Sequence, residues 1–315
     1  MKAFALTAPG QPAALVDLPD PELPADAVRI RVRAASVNGF DVYQASGFLM
    51  GMMEHDLPTV VGRDFAGIVE AVGSERTDAS VGDEVLGFIT SAPPLHDGTY
   101  ADHVTTSNIV LARKPAALSF EAAAAIPLAG ATALDAVEAV APGPDDVVLI
   151  AGATGGVGSF AVQFAAQRGA TVIATARPGA EDDFVRALGA SDTVDYSTGD
   201  LQGAVRAKYP EGVTALIDMV NRDDAFATMA ALVRDGGRIA TTLGAADVEA
   251  LAQRGVRATN IMGTPTREKL ATLAEAVVAG TLAVEVQRTF PLDRANEALQ
   301  AFSGGTLGKL VLVAG

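Results

Sequence analysis

From Val147 to Gly158 the chain reads Val-Val-Leu-Ile-Ala-Gly-Ala-Thr-Gly-Gly-Val-Gly, then continues through Phe160, Ala161, Phe164 and Ala165 at helical spacing. Four apolar residues, a turn of small residues and an apolar-periodic stretch predict strand, tight turn and helix. Such a turn presents backbone N–H groups at a helix N-terminus, where unpaired donors and the helix dipole favour a pyrophosphate. Gly155, Gly156, Val157 and Gly158 are therefore candidate phosphate-cradling residues. Gly155 and Gly158 let the backbone approach the ligand and the helix pack on its strand, and Ala153 stands where the dinucleotide fingerprint usually has its first glycine. A second apolar strand over 171–175 ends at Ala176-Arg177. NAD-specific folds place an acid near this point for the ribose hydroxyls, whereas this chain has Arg177, 19 residues past Gly158. A planar, permanently charged guanidinium suits a 2′-phosphate, so the pattern predicts NADPH as cofactor, the plainer alternative being a solvated Arg at a strand end.

Composition bounds the remaining chemistry. The 315 residues are 49% hydrophobic, enough for a large core in two domains, and contain no cysteine. That excludes disulfides, thiolate nucleophiles and every Cys-dependent zinc site. The three histidines, His55, His96 and His103, are scattered rather than clustered, and His55 and His103 read as structural because no partner carboxylate points to them. A formal charge of −15 argues against nucleic acid or an anionic membrane as partner. No apolar run approaches the roughly 20 residues of a membrane span, and the first residues lack a signal-peptide pattern, so a soluble cytoplasmic protein is expected. No Gly-x-Ser-x-Gly nucleophile elbow occurs.

From Val147 onward strand and helix signals alternate. Strands are predicted at 147–150, 171–175, 193–195, 215–218, 237–242 and 258–262, with helices at 182–188, 201–208 and 225–233 among them. Apolar strands separated by helices predict a doubly wound parallel sheet covered on both faces. Earlier, Val28-Arg29-Ile30-Arg31-Val32-Arg33 alternates strictly, and short strand-like runs at 66–72 and around 84–88 carry Gly and Pro punctuation, which predicts a mostly β domain. Ala122 to Ala125 reads as a helix entry. After Pro265 a helix over 267–278 and a last strand over 310–313 predict a return of the chain to the β domain.

Ser36-Val37-Asn38-Gly39-Phe40-Asp41-Val42-Tyr43, Gly62-Arg63-Asp64-Phe65-Ala66-Gly67, Val81-Gly82-Asp83-Glu84-Val85, Gly98-Thr99-Tyr100-Ala101-Asp102, Pro127 to Ala133, the Gly155–Gly158 turn, Leu188-Gly189-Ala190 with Asp195-Tyr196, and Gly308-Lys309 occur in one order along nearly the whole chain. Together they resemble the zinc-independent quinone oxidoreductases of the medium-chain dehydrogenase/reductase superfamily. The resemblance implies a GroES-like domain (1–125 and 264–315) split around a Rossmann domain (126–263), NADPH:quinone reductase activity without metal, and a homodimer. An enone or enoyl C=C reductase and a non-catalytic NADPH-binding relative are the alternatives. Where zinc-dependent relatives place ligands, this chain has Asn38, Arg63 and, near the third point, Leu128, so no metal is expected. The nicotinamide then carries the chemistry.

The resemblance makes Asn38 a candidate catalytic and cofactor-binding residue, able to donate to a substrate carbonyl or orient the nicotinamide ribose, or else to cap its loop. Tyr43 is a candidate proton or hydrogen-bond donor, or an aromatic wall, and Asp41 holds the loop. Thr132 falls at the nicotinamide end or is a helix-interior Thr. Tyr196 matches a tyrosine of the adenosine phosphate pocket. Asp218, Val220 and Leu243 lie at carboxyl ends of strands, the ligand edge of a doubly wound sheet, with Asp218 alternatively a turn anchor. Lys309 pairs with the cofactor phosphates or is solvated.

Overall fold

A computed structural model describes residues 1–90 and 92–314, which divide into two compact units. One comprises Met1–Leu128 and the chain from Pro265 onward; the other is Ala129–Thr264.

The second unit is built on a six-stranded parallel sheet. Its strands lie in the order Asp192–Val194, Thr171–Thr175, Val147–Ala151, Val213–Asp218, Val233–Thr241 and Arg257–Asn260. The sequence runs outward from the central strand Val147–Ala151 in both directions, so the order reverses between that strand and Val213–Asp218, where doubly wound sheets bind ligands at their carboxyl ends. The helix Leu201–Lys208 of this unit and the helix Arg267–Val278 of the other fall where periodicity predicts them. The helix predicted at 225–233 instead occupies Asp223–Ala230. Val233 opens a strand because it pairs with Val213, a long-range contact that local periodicity does not contain.

In the first unit a seven-stranded sheet among the described residues forms the core. Val28–Ser36 pairs along one side with Asp64–Val72. Its other side is shared by His103–Thr106, which covers Val28 to Arg31, and Lys309–Val313, which covers Ala34 to Ser36. Val28, Ile30 and Val32 are buried and Arg29, Arg31 and Arg33 point away, as alternation predicts. The register that sets Val311 opposite Ser36 carries Lys309 past the strand end to Val37 and Asn38. Asp64, first residue of its strand, reaches Ser36 and Asn38 from the other side. One sheet thus collects three distant segments around Asn38.

Candidate functional site

In the nucleotide-type unit the helix Gly156–Gln167 starts directly after the turn, with Gly155 as its N-cap and no capping side chain. The first-turn N–H groups of Gly156 and Val157 are left open to a ligand. The glycines differ in origin. An added Cβ at Gly158 would lie 2.1 Å from Gly152 O, so helix–strand packing demands glycine there. At Gly155 the nearest atom would be 3.6 Å away, leaving room over the turn. An anionic pyrophosphate fits this cradle. Gly152 has φ of +79° and donates its N–H to Thr175 Oγ1, while exposed Val220 covers it. Asp218 is fully buried and accepts from the N–H groups of Val220 and Asn221 and from Asn221 Nδ2. It anchors the turn. Leu243, half-buried, follows the strand Val233–Thr241, and Thr132 is buried within the helix Pro127–Val140.

Arg177 and Tyr196 come together at the end of the second strand, the guanidinium carbon 5.9 Å from the ring centroid. Between them stands Glu181, which sequence reasoning missed. Arg177 Nε and Nη2 donate to Glu181 Oε1 at 2.8 and 2.5 Å, and the Arg177 backbone N–H donates to Oε2 at 2.8 Å. Tyr196 Oη donates to Oε1 at 3.2 Å. Arg177 is therefore an ion-paired residue, not simply a solvated one. The i,i+4 spacing of an Arg and a Glu across a helix start was the available signal.

In the first unit the polar groups around Asn38 form a buried network. Asn38 Nδ2 donates to Asp64 Oδ2 at 3.0 Å, and Lys309 Nζ donates to Asn38 Oδ1 at 2.6 Å and to Val37 O at 2.8 Å. Asp64 also accepts from Ser36 Oγ and from the N–H of Leu128. Burial raises the Asp64 carboxyl and lowers the Lys309 ammonium, each opposed by the partner's charge. The phosphate-pairing expectation for Lys309 is corrected: its ammonium is buried and both contacts face the Asn38 loop. Asp41 is fully buried, and its Oδ2 accepts the Asn38 N–H at 2.8 Å and Tyr100 Oη–H at 3.1 Å, which confirms it as a loop holder. Burial, then the charge of Asp64, pushes its carboxyl up to about 7.

Asn38 is thus clamped at both ends of its amide, with one N–H still to give. Tyr43 stands apart from this network on the helix Gly39–Ala45, half-exposed, its ring 5.6 Å from that of Phe48. Arg63 is buried, donates from Nη1 to Thr90 O at 2.8 Å and stacks over Phe40 at 4.5 Å; burial lowers it to about 10. An amide already bonded to an ammonium, a guanidinium and an aliphatic Leu128 do not make a donor set for Zn²⁺. Among the described residues no group of three or more His, Asp or Glu side chains gathers elsewhere to hold a metal ion. His103 does have a carboxylate partner, Glu70 Oε2 at 2.8 Å from Nδ1, contrary to the sequence expectation. No helix among the described residues is long and apolar enough to cross a membrane.

The alcohol dehydrogenase GroES-like domain family matches residues 24–116, and the zinc-binding dehydrogenase family matches residues 188–312. A 2-haloacrylate reductase from Burkholderia sp is 33% identical over 308 residues, covering 91% of this chain and 90% of that protein. A trans-enoyl reductase from Aspergillus flavipes is 34% identical over 250 residues, covering 75% of this chain and 68% of that one. Among solved structures, the quinone oxidoreductase from Coxiella burnetii is 34% identical with a TM-score of 0.87 over 99% of both chains. The Escherichia coli quinone oxidoreductase complexed with NADPH is 25% identical, with a TM-score of 0.86 over 99% of this chain and 100% of that one. With both domain types matched and a one-third-identical relative spanning nine-tenths of each chain, this protein belongs to the medium-chain dehydrogenase/reductase superfamily, a GroES-like domain joined to a Rossmann domain.

Proposed function

We propose that this protein is an NADPH-dependent, metal-independent quinone reductase. The observation that carries the reading is the open glycine cradle followed, at the end of the next strand, by the guanidinium of Arg177 beside Tyr196. In this reading the N–H groups of Gly156, Val157 and Gly158 hold the pyrophosphate, and Gly155, whose own N–H closes the turn on Gly152 O, leaves the room for it. Arg177 and Tyr196 take the 2′-phosphate, and Val220, Leu243 and Thr132 flank the nucleotide. NADPH, when bound, supplies the hydride. Asn38 gives its second amide N–H to the substrate carbonyl oxygen, where negative charge develops. The Lys309 ammonium on Asn38 Oδ1 polarises that amide and strengthens it as a donor. Asp64 fixes the amide's direction. The hydroquinone oxygens take their protons from water, so Tyr43 lines the substrate rather than acting as an obligatory acid. The family resemblance supports a cytoplasmic homodimer.

A second reading, reduction of an enone or enoyl C=C bond, is favoured by the likeness to the Burkholderia and Aspergillus reductases. Steady-state oxidation of NADPH with a benzoquinone and with an α,β-unsaturated ketone separates the two by their kcat/KM values. Turnover of neither would leave a nucleotide-binding relative. Arg177→Ala should weaken NADPH binding by roughly tenfold or more while barely touching NADH, since only NADPH loses a charge-assisted hydrogen bond to its phosphate. Equal losses for both cofactors would refute the NADPH assignment.

A further inference from the structure

We infer that Glu181 is a specificity-determining residue whose carboxylate competes with the 2′-phosphate of the dinucleotide for the Arg177 guanidinium. This rests on the reading of Arg177 as the phosphate-recognising residue. The guanidinium does not wait as a free cation. Its Nε and Nη2 both lie on Glu181 Oε1, and its own backbone N–H is taken by Oε2. Tyr196, the other residue of this corner, also donates to Oε1. Oε1 thus receives three donors, so this oxygen is saturated by the protein and has no place for a ribose hydroxyl. Oε2 accepts only the Arg177 N–H, so Glu181 could offer a ribose hydroxyl one site on that oxygen alone, whereas the acid of an NAD-specific fold is free to accept from the ribose.

The side chains differ in exposure in the sense the competition needs. Glu181 is 12% exposed and Arg177 56%, so the carboxylate sits behind and the guanidinium in front. Burial raises the Glu181 carboxyl, but the hydrogen bonds and charge of Arg177 outweigh it and hold the group below its ordinary range, so it is anionic at neutral pH. A phosphate arriving at Arg177 meets a neutralised pair rather than a bare cation. NADH, with a hydroxyl there, meets no such opposition. Glu181 lowers the advantage of NADPH over NADH without needing to touch either cofactor.

Removal of the carboxylate charge should therefore tighten NADPH selectively. Exposed ion pairs contribute little, so Glu181→Gln should lower the NADPH Kd by about three- to fivefold at low salt. NADH should not change, and the gain should shrink as salt is raised. Asp182→Asn is the control: it removes the same charge from the same helix turn, but from a residue paired with Arg186 at 2.9 Å, and should alter neither Kd. The measurement is fluorescence titration of both cofactors at two salt concentrations on wild type, Glu181→Gln, Asp182→Asn and Arg177→Ala. Glu181→Gln leaving NADPH unchanged or weaker overturns the inference, as does a selective loss of NADH, which would make Glu181 a ribose ligand. If Arg177→Ala weakens only NADPH while Glu181→Gln has no effect, the competition alone fails. If Arg177→Ala weakens both equally, the phosphate reading fails and the inference with it.

Discussion

Replacing Asp41 by Asn should remove the fall in stability that its buried carboxyl is expected to contribute as pH rises from about 5.5 to 8.5. The Asp41 carboxyl is fully buried, with Oδ2 accepting from Asn38 and Tyr100 and Oδ1 without a partner among the described residues. Burial first, and the neighbouring charge of Asp64 second, push it up to about 7 from an ordinary 3.8; the Asn38 N–H and the charges of Lys309 and Arg63 oppose them. Between those two values the folded protein keeps a proton that the unfolded chain has released, so the native state binds more protons and stability falls as pH rises. A rise of about three units at about 1.4 kcal/mol per unit corresponds to about 4 kcal/mol over the whole titration, of which about 2 kcal/mol falls between pH 5.5 and 8.5. Asn at this position mimics the protonated acid: its carbonyl can accept from Asn38 and Tyr100, and no charge appears at high pH. Urea unfolding of wild type and Asp41→Asn at the two pH values should show the variant gaining about 2 kcal/mol relative to wild type at the higher pH. Parallel pH dependences would mean that Asp41 titrates in the fold as it does in the unfolded chain, and the electrostatic description of this network would be wrong.

Gly158→Ala should cost both stability and dinucleotide affinity, because its Cβ would lie 2.1 Å from Gly152 O and 2.6 Å from Ala153 Cα; a thermal melt and a titration that match wild type would refute the packing assignment. Tyr43→Phe should reduce quinone turnover by far less than the roughly 10²–10⁴-fold typical of a lost general acid, and a loss of that size on quinones would end the positioning mechanism. The same loss confined to enones would favour C=C reduction. Elemental analysis should find no stoichiometric zinc, and EDTA should leave the rate unchanged, since the Asn38 and Arg63 positions offer an amide and a cation.

Much of the fold was legible because its signals are local. Apolar runs such as Val147–Ala151 and 215–217, separated by helical stretches, marked the parallel sheet, and strict alternation at Val28 to Arg33 marked the central strand of the other unit. The Gly155–Gly158 cradle was legible for the same reason. The error at Val233 arose where pairing with Val213 overrode a helical pattern. Of the Asn38 network only the local Asn38–Asp41 part was legible: Lys309 lies 271 residues away in sequence, and only the sheet register brings its ammonium there. Its burial reverses the usual expectation for lysine, because exposure is the default unless a distant partner removes it. Glu181 escaped notice because an acidic first turn, Glu181-Asp182-Asp183, reads as an ordinary helix start.

The sharing of one side of Val28–Ser36 between His103–Thr106 and Lys309–Val313 fixes an order of assembly during synthesis. Once residues to about 128 have emerged, the Val28 to Arg31 half of that strand can be covered, but Ala34 to Ser36 still show unpaired backbone groups. The strand that covers them lies beyond the whole Ala129–Thr264 unit. At about 5–20 residues per second this leaves an open sheet edge for roughly 10–40 s, while the intervening unit can fold on its own contacts. Open edges of apolar strands invite pairing with other chains. The vulnerable interval ends when the C-terminal strand docks, and that same docking delivers Lys309 to Asn38, so the nascent chain closes its sheet and completes its polar network in a single late step.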